Sequence, residues 1–370
     1  MLVLPITNPV LLFAVILLII LIVPLILDNL NIPGIIGLII CGIIIGPYGF
    51  NIVENNSAIE LFSTIGLLYL MFLIGLELDL NEFQLNKYQS IIFGFLTFTI
   101  PLAIGFPIFY HIFKYSFDAS LLLSSTFATH TLVTYSIVSK RNIKKDKSIA
   151  ITVGATILAD IAVLTLLAVI INKAQHGISP NFWINLALSM TVFLAGSFTI
   201  IPMLSKWFFR KFEGERHSHY IYVLAILFLT SWFAEVLGME AIIGAFIAGI
   251  ALNKLIPKSS TLMNKLEFVG NALFIPFFLV SVGMLVDIKV IFQDYMIVLL
   301  AVMFTVVSTF GKWLAALVSQ LLFKFNRNQR ELMTGLSSAH TAGTLAIILA
   351  GQKVGLVDGN ILNATIIFML

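Results

Sequence analysis

Apolar blocks, each about 20 residues long, follow one another through almost the whole chain. Of the 370 residues, 59% are hydrophobic and 11% are charged, whereas about 25% of the residues in soluble domains are charged. An α-helix needs about 20 apolar residues to cross the hydrocarbon layer of a membrane, while a membrane-spanning β-strand needs about 10 of alternating polarity. The sequence therefore predicts an all-α polytopic membrane protein.

Breaks in hydropathy predict thirteen transmembrane helices, called spans 1 to 13 below. Their predicted ranges are 8–27, 32–46, 58–77, 90–113, 118–139, 147–171, 182–209, 219–237, 240–253, 263–285, 290–322, 331–352 and a last one from about residue 360. Span 13 has only half of the ~20 residues that a transmembrane helix needs. We therefore expect this span to be incomplete and a cytoplasmic region to follow residue 370.

Lys and Arg residues are distributed unevenly between alternate loops. One set of loops holds sixteen of the 21 cations, and the other set holds Lys114, Lys173, Lys289 and Lys353. Cytoplasmic loops of membrane proteins carry the excess of positive charge. The N-terminus is therefore expected outside, and the basic loops need no nucleic-acid partner to explain them.

Several motifs recur at a nearly constant offset of 207 to 210 residues. The matched pairs are Gly37 and Gly244, Gly42 and Gly249, Gly75 and Gly283, Asp79 and Asp287, and His130 and His340. The offset equals seven spans, an odd number, so the two copies are expected in opposite membrane orientations. We predict two inverted six-helix repeats, in residues 1–180 and 216–370, joined by a linker helix in residues 181–215.

Inverted repeats have a mechanical meaning, because the two copies can exchange conformations and expose a midplane site to each side in turn. Such sites are lined by interrupted helices whose backbone groups face the substrate. Spans 5 and 12 are repeat mates and are rich in Ser, Thr and His at their centres. We expect both spans to be interrupted and to cross at mid-membrane, beside span 6.

Span 6 contains one carboxylate, Asp160, in the apolar segment GATILADIAVLTL (154–166). A charge at the bilayer centre costs about 3 to 17 kcal/mol, so such a residue is a candidate functional group. A carboxyl group removed from water retains a proton more readily, so the same oxygen atoms could hold either a proton or a cation. The alternative is a structural acid satisfied by hydroxyl groups.

Neighbouring hydroxyl groups are the expected additional ligands, because Na⁺ and K⁺ are hard ions that favour oxygen. Ser125 and Thr129 lie in span 5, and Thr156 lies one helical turn before Asp160. Thr344 lies in the polar centre of span 12 and belongs to the same candidate set.

Three nitrogen-bearing side chains lie near these hydroxyl groups in the predicted spans. His130 and His340 could relay protons or sense pH, but both could equally be hydrogen-bonded structural residues. Lys312 is the one cation inside a span. It could extend to the membrane interface, approach Asp160, or interact with the dipoles of spans 5 and 12.

The chain resembles the monovalent cation:proton antiporters of the NapA and Kef type, which have thirteen helices. The motifs that carry the resemblance are GIIGLIICGIIIGP (34–47), LYLMFLIGLELD (68–79), FLTSWFAEVLGMEAIIGAFIAGIAL (228–252), PFFLVSVGMLVD (276–287) and GKWLAALVSQLLF (311–323). The resemblance implies an ion-binding Asp on span 6, a basic residue on span 11 and crossed, unwound spans 5 and 12. It also implies a homodimer in which spans 4–6 and 11–13 slide against spans 1–3 and 8–10.

The residue before the span 6 carboxylate departs from the family pattern. Relatives usually have Asp, Asn or Gln there, and the electrogenic ones have two Asp residues, whereas this chain has Ala159. The expected activity is therefore electroneutral, one-for-one exchange of Na⁺ or K⁺ for H⁺ through Asp160. The expected location is a prokaryotic inner membrane.

Other functions remain open at this point. One is a Kef-type potassium efflux system gated by a further cytoplasmic domain, and another is a non-transporting sensor on the same scaffold. The sequence contains no nucleotide-binding loop, metal-ligand cluster or nucleophile motif. An enzyme is therefore not expected, and no cofactor is expected beyond the transported ions.

Overall fold

The computed structural model describes residues 5–6, 8–28, 34–54, 56–77, 86–129, 147–177, 182–212, 216–286, 295–338, 340 and 342–369. Within these ranges every regular element is helical. The helices are α1 Pro9–Asp28, α2 Gly34–Ile45, α3 Ser57–Glu77, α4 Lys87–Pro107, α5 Phe117–Thr126, α6 Lys147–His176, α7 Phe182–Lys211, α8 Arg216–Val236, α9 Ala241–Asn253, α10 Thr261–Val269, α11 Ile275–Met284, α12 Tyr295–Phe323, α13 Arg327–Ser337, α14 Ala342–Lys353 and α15 Gly359–Met369. Single π-helical turns follow α4, at Ile108–Ile112, and join α10 to α11, at Gly270–Phe274.

The observed helices lie where hydropathy predicted the spans, and the chain is a multi-pass integral membrane protein. Eight of the described helical segments are long and apolar enough to cross a membrane, and α2, α9 and α15 are shorter apolar helices. Span 12 is divided into α13 and α14. The helical part of span 5 that the structure describes ends at Thr126. Asp79, His130 and Asp287 lie outside the described residues.

The chain divides into two compact units. The first comprises Met1–Glu77, Leu188–Tyr295 and Leu370, and the second comprises Leu78–Ala187 and Met296–Met369. The first unit therefore contains α1–α3, most of α7 and α8–α11, and the second contains α4–α6 and α12–α15. Apart from the linker helix α7, which the family resemblance assigns to neither group, the two units contain the two groups of helices that the resemblance separates.

Glycine contacts hold the helices of the first unit close together. A Cβ atom on Gly42 of α2 would overlap the carbonyl oxygen of Val280 in α11, and its close backbone neighbour there is Gly283. A Cβ atom on Gly75 of α3 would overlap a carbonyl oxygen of α9, where Gly249 is the neighbour. Gly42 matches Gly249, and Gly75 matches Gly283, at the offset found in the sequence. The contact between Gly42 and Gly283 therefore corresponds to the contact between Gly249 and Gly75.

The second unit is built around α4, α6, α12 and α13, which share a buried apolar cluster. Its members are Phe93, Ile151, Ala155, Ala315, Ala316 and Met333. Alanines on α6 and α12 allow the helix axes to approach closely, as small residues do in membrane helices. This cluster fixes the helices that carry the candidate site.

Polar caps determine where two helices of the second unit begin. The Ser116 side chain accepts a hydrogen bond from the backbone N–H of Ala119 at the start of α5. At the start of α13, Asn326 and Gln329 form a capping box, in which each side chain accepts from the other residue's backbone N–H. Both caps satisfy donors that a helix start otherwise leaves free.

Candidate functional site

The candidate site begins at the interruption of span 12. His340 lies between the end of α13 and the start of α14, and its side chain is 7% exposed. Thr129 follows the last turn of α5 and is buried as well. An interrupted helix leaves backbone and side-chain polar groups that must find partners when they are buried.

Hydroxyl groups from spans 5 and 12 are in direct contact. Thr129 Oγ1 lies 2.8 Å from Thr344 Oγ1 on α14, and each lies 3.4 Å from Nδ1 of His340. The Thr129 hydroxyl donates to the carbonyl of Thr126 at 2.7 Å. The structure thus brings together three of the residues that the sequence had singled out.

The hydrogen-bond pattern indicates one tautomer of His340. The Thr129 proton is directed to Thr126, so the Thr344 hydroxyl is the donor between the two threonines. Nδ1 of His340 then faces two oxygen atoms as a donor, and Nε2 is left as an acceptor. Ser308 on α12 lies 2.6 Å from Nε2, so its hydroxyl donates to it. Three helical segments therefore hold this ring.

Lys312 lies one turn after Ser308 on α12 and is 0% exposed. Its Nζ atom donates to the carbonyl oxygen of Ala128 at 2.8 Å and to that of Thr97 on α4 at 3.4 Å. A fully buried ammonium group does not fit the alternative in which this side chain extends to the membrane interface. Lys312 instead binds the backbone just beyond the end of α5.

The carbonyl of Thr97 is available because of Pro101, four residues further along α4. Proline has no N–H, so the residue four positions before it loses its helical hydrogen-bond partner. Gly311 allows α12 to approach at this point, since a Cβ atom there would lie 2.9 to 3.0 Å from atoms of Pro101. The lysine that follows Gly311 can therefore reach the carbonyl.

Asp160 lies in α6 of the same unit and is partly exposed, in contrast to Lys312. Its carboxylate lies within electrostatic range of the Lys312 ammonium group. Ala159, at the position where relatives have a polar residue, is completely buried. The site thus combines one accessible carboxylate with one buried cation.

Ser125 and Thr156, two further residues expected at the site, hydrogen-bond within their own helices. The Ser125 hydroxyl donates to the carbonyl of Leu122 at 2.7 Å, and the Thr156 hydroxyl donates to that of Thr152 at 3.0 Å. A hydroxyl that donates its proton to the backbone keeps oxygen lone pairs for an acceptor role. Both side chains are buried.

Four contributors to this site were not identified from the sequence: Thr97, Pro101, Ala128 and Ser308. A signal existed for three of them. A proline inside span 4 implies a free carbonyl four residues earlier, and Ser308 lies one turn before Lys312 on the same face of a helix. Ala128 contributes only its backbone, so its residue type gave no signal.

Similarity to known proteins extends over nearly the whole chain. A family model described as "Sodium/hydrogen exchanger, transmembrane" matches residues 15–370. The Na(+)/H(+) antiporter NhaS5 of Synechocystis is 35% identical over 98% of this chain and 53% of its own length. The chain thus spans about half the length of that relative.

A second relative is matched over most of its own length. The probable Na(+)/H(+) antiporter 3 of Methanocaldococcus jannaschii is 32% identical over 96% of this chain and 91% of the relative. Among solved structures, the sodium proton antiporter MjNhaP1 of the same organism has a TM-score of 0.69 at 16% identity, covering 97% of this chain and 92% of that chain. The structural match establishes a similar fold.

Proposed function

The chain belongs to the sodium/hydrogen exchanger family, and from that premise we propose that it exchanges a monovalent cation for H⁺ across a membrane. The family consists of antiporters and not of enzymes. Both curated relatives are named as Na⁺/H⁺ antiporters. Na⁺ is therefore the first cation to test, and K⁺ is the second.

The observation that carries this proposal is the pairing of an accessible carboxylate, Asp160, with a buried cation, Lys312, in one unit. The carboxylate binds either a proton or a cation, because both compete for the same oxygen atoms. This mutual exclusion couples the two ion gradients when the site opens alternately to each side.

Lys312 has a second role in this mechanism, which is to hold the interrupted span 5 in place. Its ammonium group binds the carbonyls of Ala128 and Thr97, so it does not need to move when Asp160 changes partners. Its positive charge also lies within electrostatic range of Asp160, which in this proposal releases H⁺ and then accepts the cation.

Hydroxyl groups supply the remaining ligands of the cation in this proposal. The candidates are Ser125, Thr129, Thr156 and Thr344, each of which is buried. His340, fixed by Ser308 and the two interrupted spans, positions the threonine pair. His130, which lies outside the described residues, stays a candidate from the sequence alone.

Stoichiometry follows from the number of carboxylates. With Ala159 in place of a second polar group, the site gains one positive charge whether it binds H⁺ or the cation. Each half of the cycle therefore carries the same charge, and the exchange is electroneutral. Our proposal combines this electroneutral exchange with a placement of the chain in the NapA/Kef-like branch of the family.

The remaining architecture is proposed on the same basis. The chain has thirteen transmembrane helices, with inverted repeats at 1–180 and 216–370, a linker at 181–215, and spans 5 and 12 crossing at mid-membrane. It forms a homodimer in a prokaryotic inner membrane, with the N-terminus outside. Two observations support the repeats and the sliding core. The glycine contacts of the first unit exchange under the repeat offset, and the second unit contains the helices expected in the core.

The experiment that tests the proposal is ion flux in proteoliposomes. Purified protein should acidify or alkalinise the lumen when a Na⁺ or K⁺ gradient is applied. The rate of Na⁺-driven exchange under unequal K⁺ concentrations should be the same with valinomycin, which converts the K⁺ gradient into a membrane potential, as without it. A rate that follows the potential would contradict one-for-one exchange. No flux with any alkali cation would contradict antiport and favour a sensor.

A further inference from the structure

The C-terminal half of α7 has one face that the proposed transport function does not use. Two rows of residues with a spacing of four run along this face. The first row is Phe198, Pro202, Lys206 and Arg210, and the second is Thr199, Met203, Trp207 and Lys211. Residues four apart lie on the same side of a helix, so apolar groups occupy one end of this face and cations occupy the other.

This face is open while the opposite face of the same turns is packed. Ser205 lies 3.2 Å from the hydroxyl oxygen of Tyr222 on α8, and the ring of Phe208 stacks on that of Tyr222 at 4.2 Å. In contrast, Met203 is 65% exposed and Trp207 is 56% exposed. The packing against α8 therefore fixes the direction in which the open face points.

The open face forms a groove of about 700 Å³. Three cations line its end, Lys206, Arg210 and Lys211, and none of the described residues that line it is acidic. Lys211 Nζ lies 4.9 Å from the centre of the Trp207 ring and 5.7 Å from that of Phe212. Aromatic rings thus hold one cation at the boundary between the apolar and charged parts.

The dimensions and chemistry of the groove match one phospholipid molecule. From Phe198 to Lys211 a helix rises about 20 Å, which is about the depth of one membrane leaflet including its headgroups. The apolar part would lie at acyl-chain depth, Trp207 at the interface and the cations at headgroup depth, where Trp and Lys or Arg residues are typically found.

We propose that this face of α7 binds one anionic phospholipid. Lys206 and Arg210 bind its phosphate group, Lys211 and Trp207 mark the headgroup boundary, and Phe198 and Met203 contact an acyl chain. The asymmetry of positive charge between loops accounts for cations at this end of α7. It does not account for a mainly apolar groove that leads into three cations and has no acidic group among its lining residues.

The test is lipid retention measured by native mass spectrometry of the purified full chain, together with thermal unfolding in detergent. Wild type should retain phosphatidylglycerol and should unfold at a higher temperature when phosphatidylglycerol, but not phosphatidylcholine, is added. The variant K206Q/R210Q/K211Q should bind phosphatidylglycerol on the order of 100-fold more weakly, because each cation near an anionic lipid contributes about fivefold.

A matched control removes the same number of positive charges elsewhere. The variant K254Q/K265Q/K324Q neutralises three lysines of the loops that the sequence places on the same side of the membrane, and it should bind phosphatidylglycerol like wild type. Equal loss in both triple variants would contradict a specific site, as would wild-type binding by K206Q/R210Q/K211Q. This experiment measures lipid binding and not ion exchange, so its result can be interpreted even if the protein exchanges no ions.

Two further arms distinguish a lipid from other occupants. Inorganic phosphate should not displace phosphatidylglycerol, because it makes no contact with Phe198 or Met203; displacement would assign the groove to a free anion. The oligomeric state of K206Q/R210Q/K211Q should equal that of wild type. A variant that dissociates without altered lipid binding would assign this face to a second copy of the chain and overturn the proposal.

Discussion

The Nζ atom of Lys312 lies 2.8 Å from the carbonyl oxygen of Ala128, which directly precedes Thr129 and follows the end of α5. The lysine is completely buried and also lies within electrostatic range of Asp160. A single side chain therefore connects the backbone beyond the end of α5 to the candidate ion ligand.

Replacing Lys312 by Met should lower the free energy of unfolding by about 1 to 3 kcal/mol, because it leaves the buried backbone carbonyls of Ala128 and Thr97 without their donor. Thermal unfolding in detergent measures this loss. The control is Lys173→Met, since Lys173 forms a 2.7 Å ion pair with Asp118 that remains partly exposed. That change should cost about 1 kcal/mol or less, and equal losses would contradict the assignment.

Ser308 should matter to stability only through His340. Ser308→Ala removes the donor to Nε2 and leaves a buried ring nitrogen without a partner, which should cost about 1 to 3 kcal/mol. Ser319 is a matched control, because it lies on the same helix, is completely buried and has no hydrogen-bond partner for Oγ. Ser319→Ala should not destabilise the protein, because it removes a buried hydroxyl that has no hydrogen-bond partner. Similar effects of the two changes would contradict the proposed role.

Hydropathy alone predicted the location of the helices, and the clustering of polar residues correctly indicated the interruption of span 12. The meeting of Thr129, His340 and Thr344 could be expected because the sequence predicts that their spans are repeat mates. Pro101 indicates a free carbonyl at Thr97, but nothing in the sequence indicates that Lys312 reaches it. The contact of Lys312 with Ala128 could not be expected, since it involves a carbonyl that is available because a helix ends there, and the residue type carries no information about that.

Thr156→Val should weaken apparent cation affinity in exchange assays, raising KM about fivefold to tenfold, because it removes one oxygen ligand worth about 1 kcal/mol. Thr152 provides the control. It is buried one turn earlier on α6, and its hydroxyl likewise donates to a carbonyl of its own helix. Thr152→Val should leave KM unchanged, and an equal increase in both variants would exclude Thr156 as a specific ligand.

Gly42→Ala should destabilise the first unit by about 1 to 3 kcal/mol, because the added methyl group would overlap the carbonyl of Val280. Gly249→Ala, at the matching position of the repeat, should have a similar effect. Gly196→Ala on α7 is the control, since its Cβ would meet nothing closer than 3.9 Å, and alanine favours a helix by about 1 kcal/mol. In thermal unfolding, the Gly42→Ala and Gly249→Ala variants should be less stable than the Gly196→Ala variant. A Gly196→Ala variant as unstable as the other two would contradict this explanation.

The most direct test of the central claim is ion exchange by Asp160→Asn in proteoliposomes. Asparagine has nearly the same size but does not bind H⁺ and a cation in competition, so exchange of Na⁺ or K⁺ for H⁺ should fall to the rate of protein-free vesicles. Asp118→Asn, which changes the carboxylate paired with Lys173, should retain exchange. If Asp160→Asn unfolds at the wild-type temperature and exchanges ions at the wild-type rate, the claim that this carboxylate carries both ions is wrong.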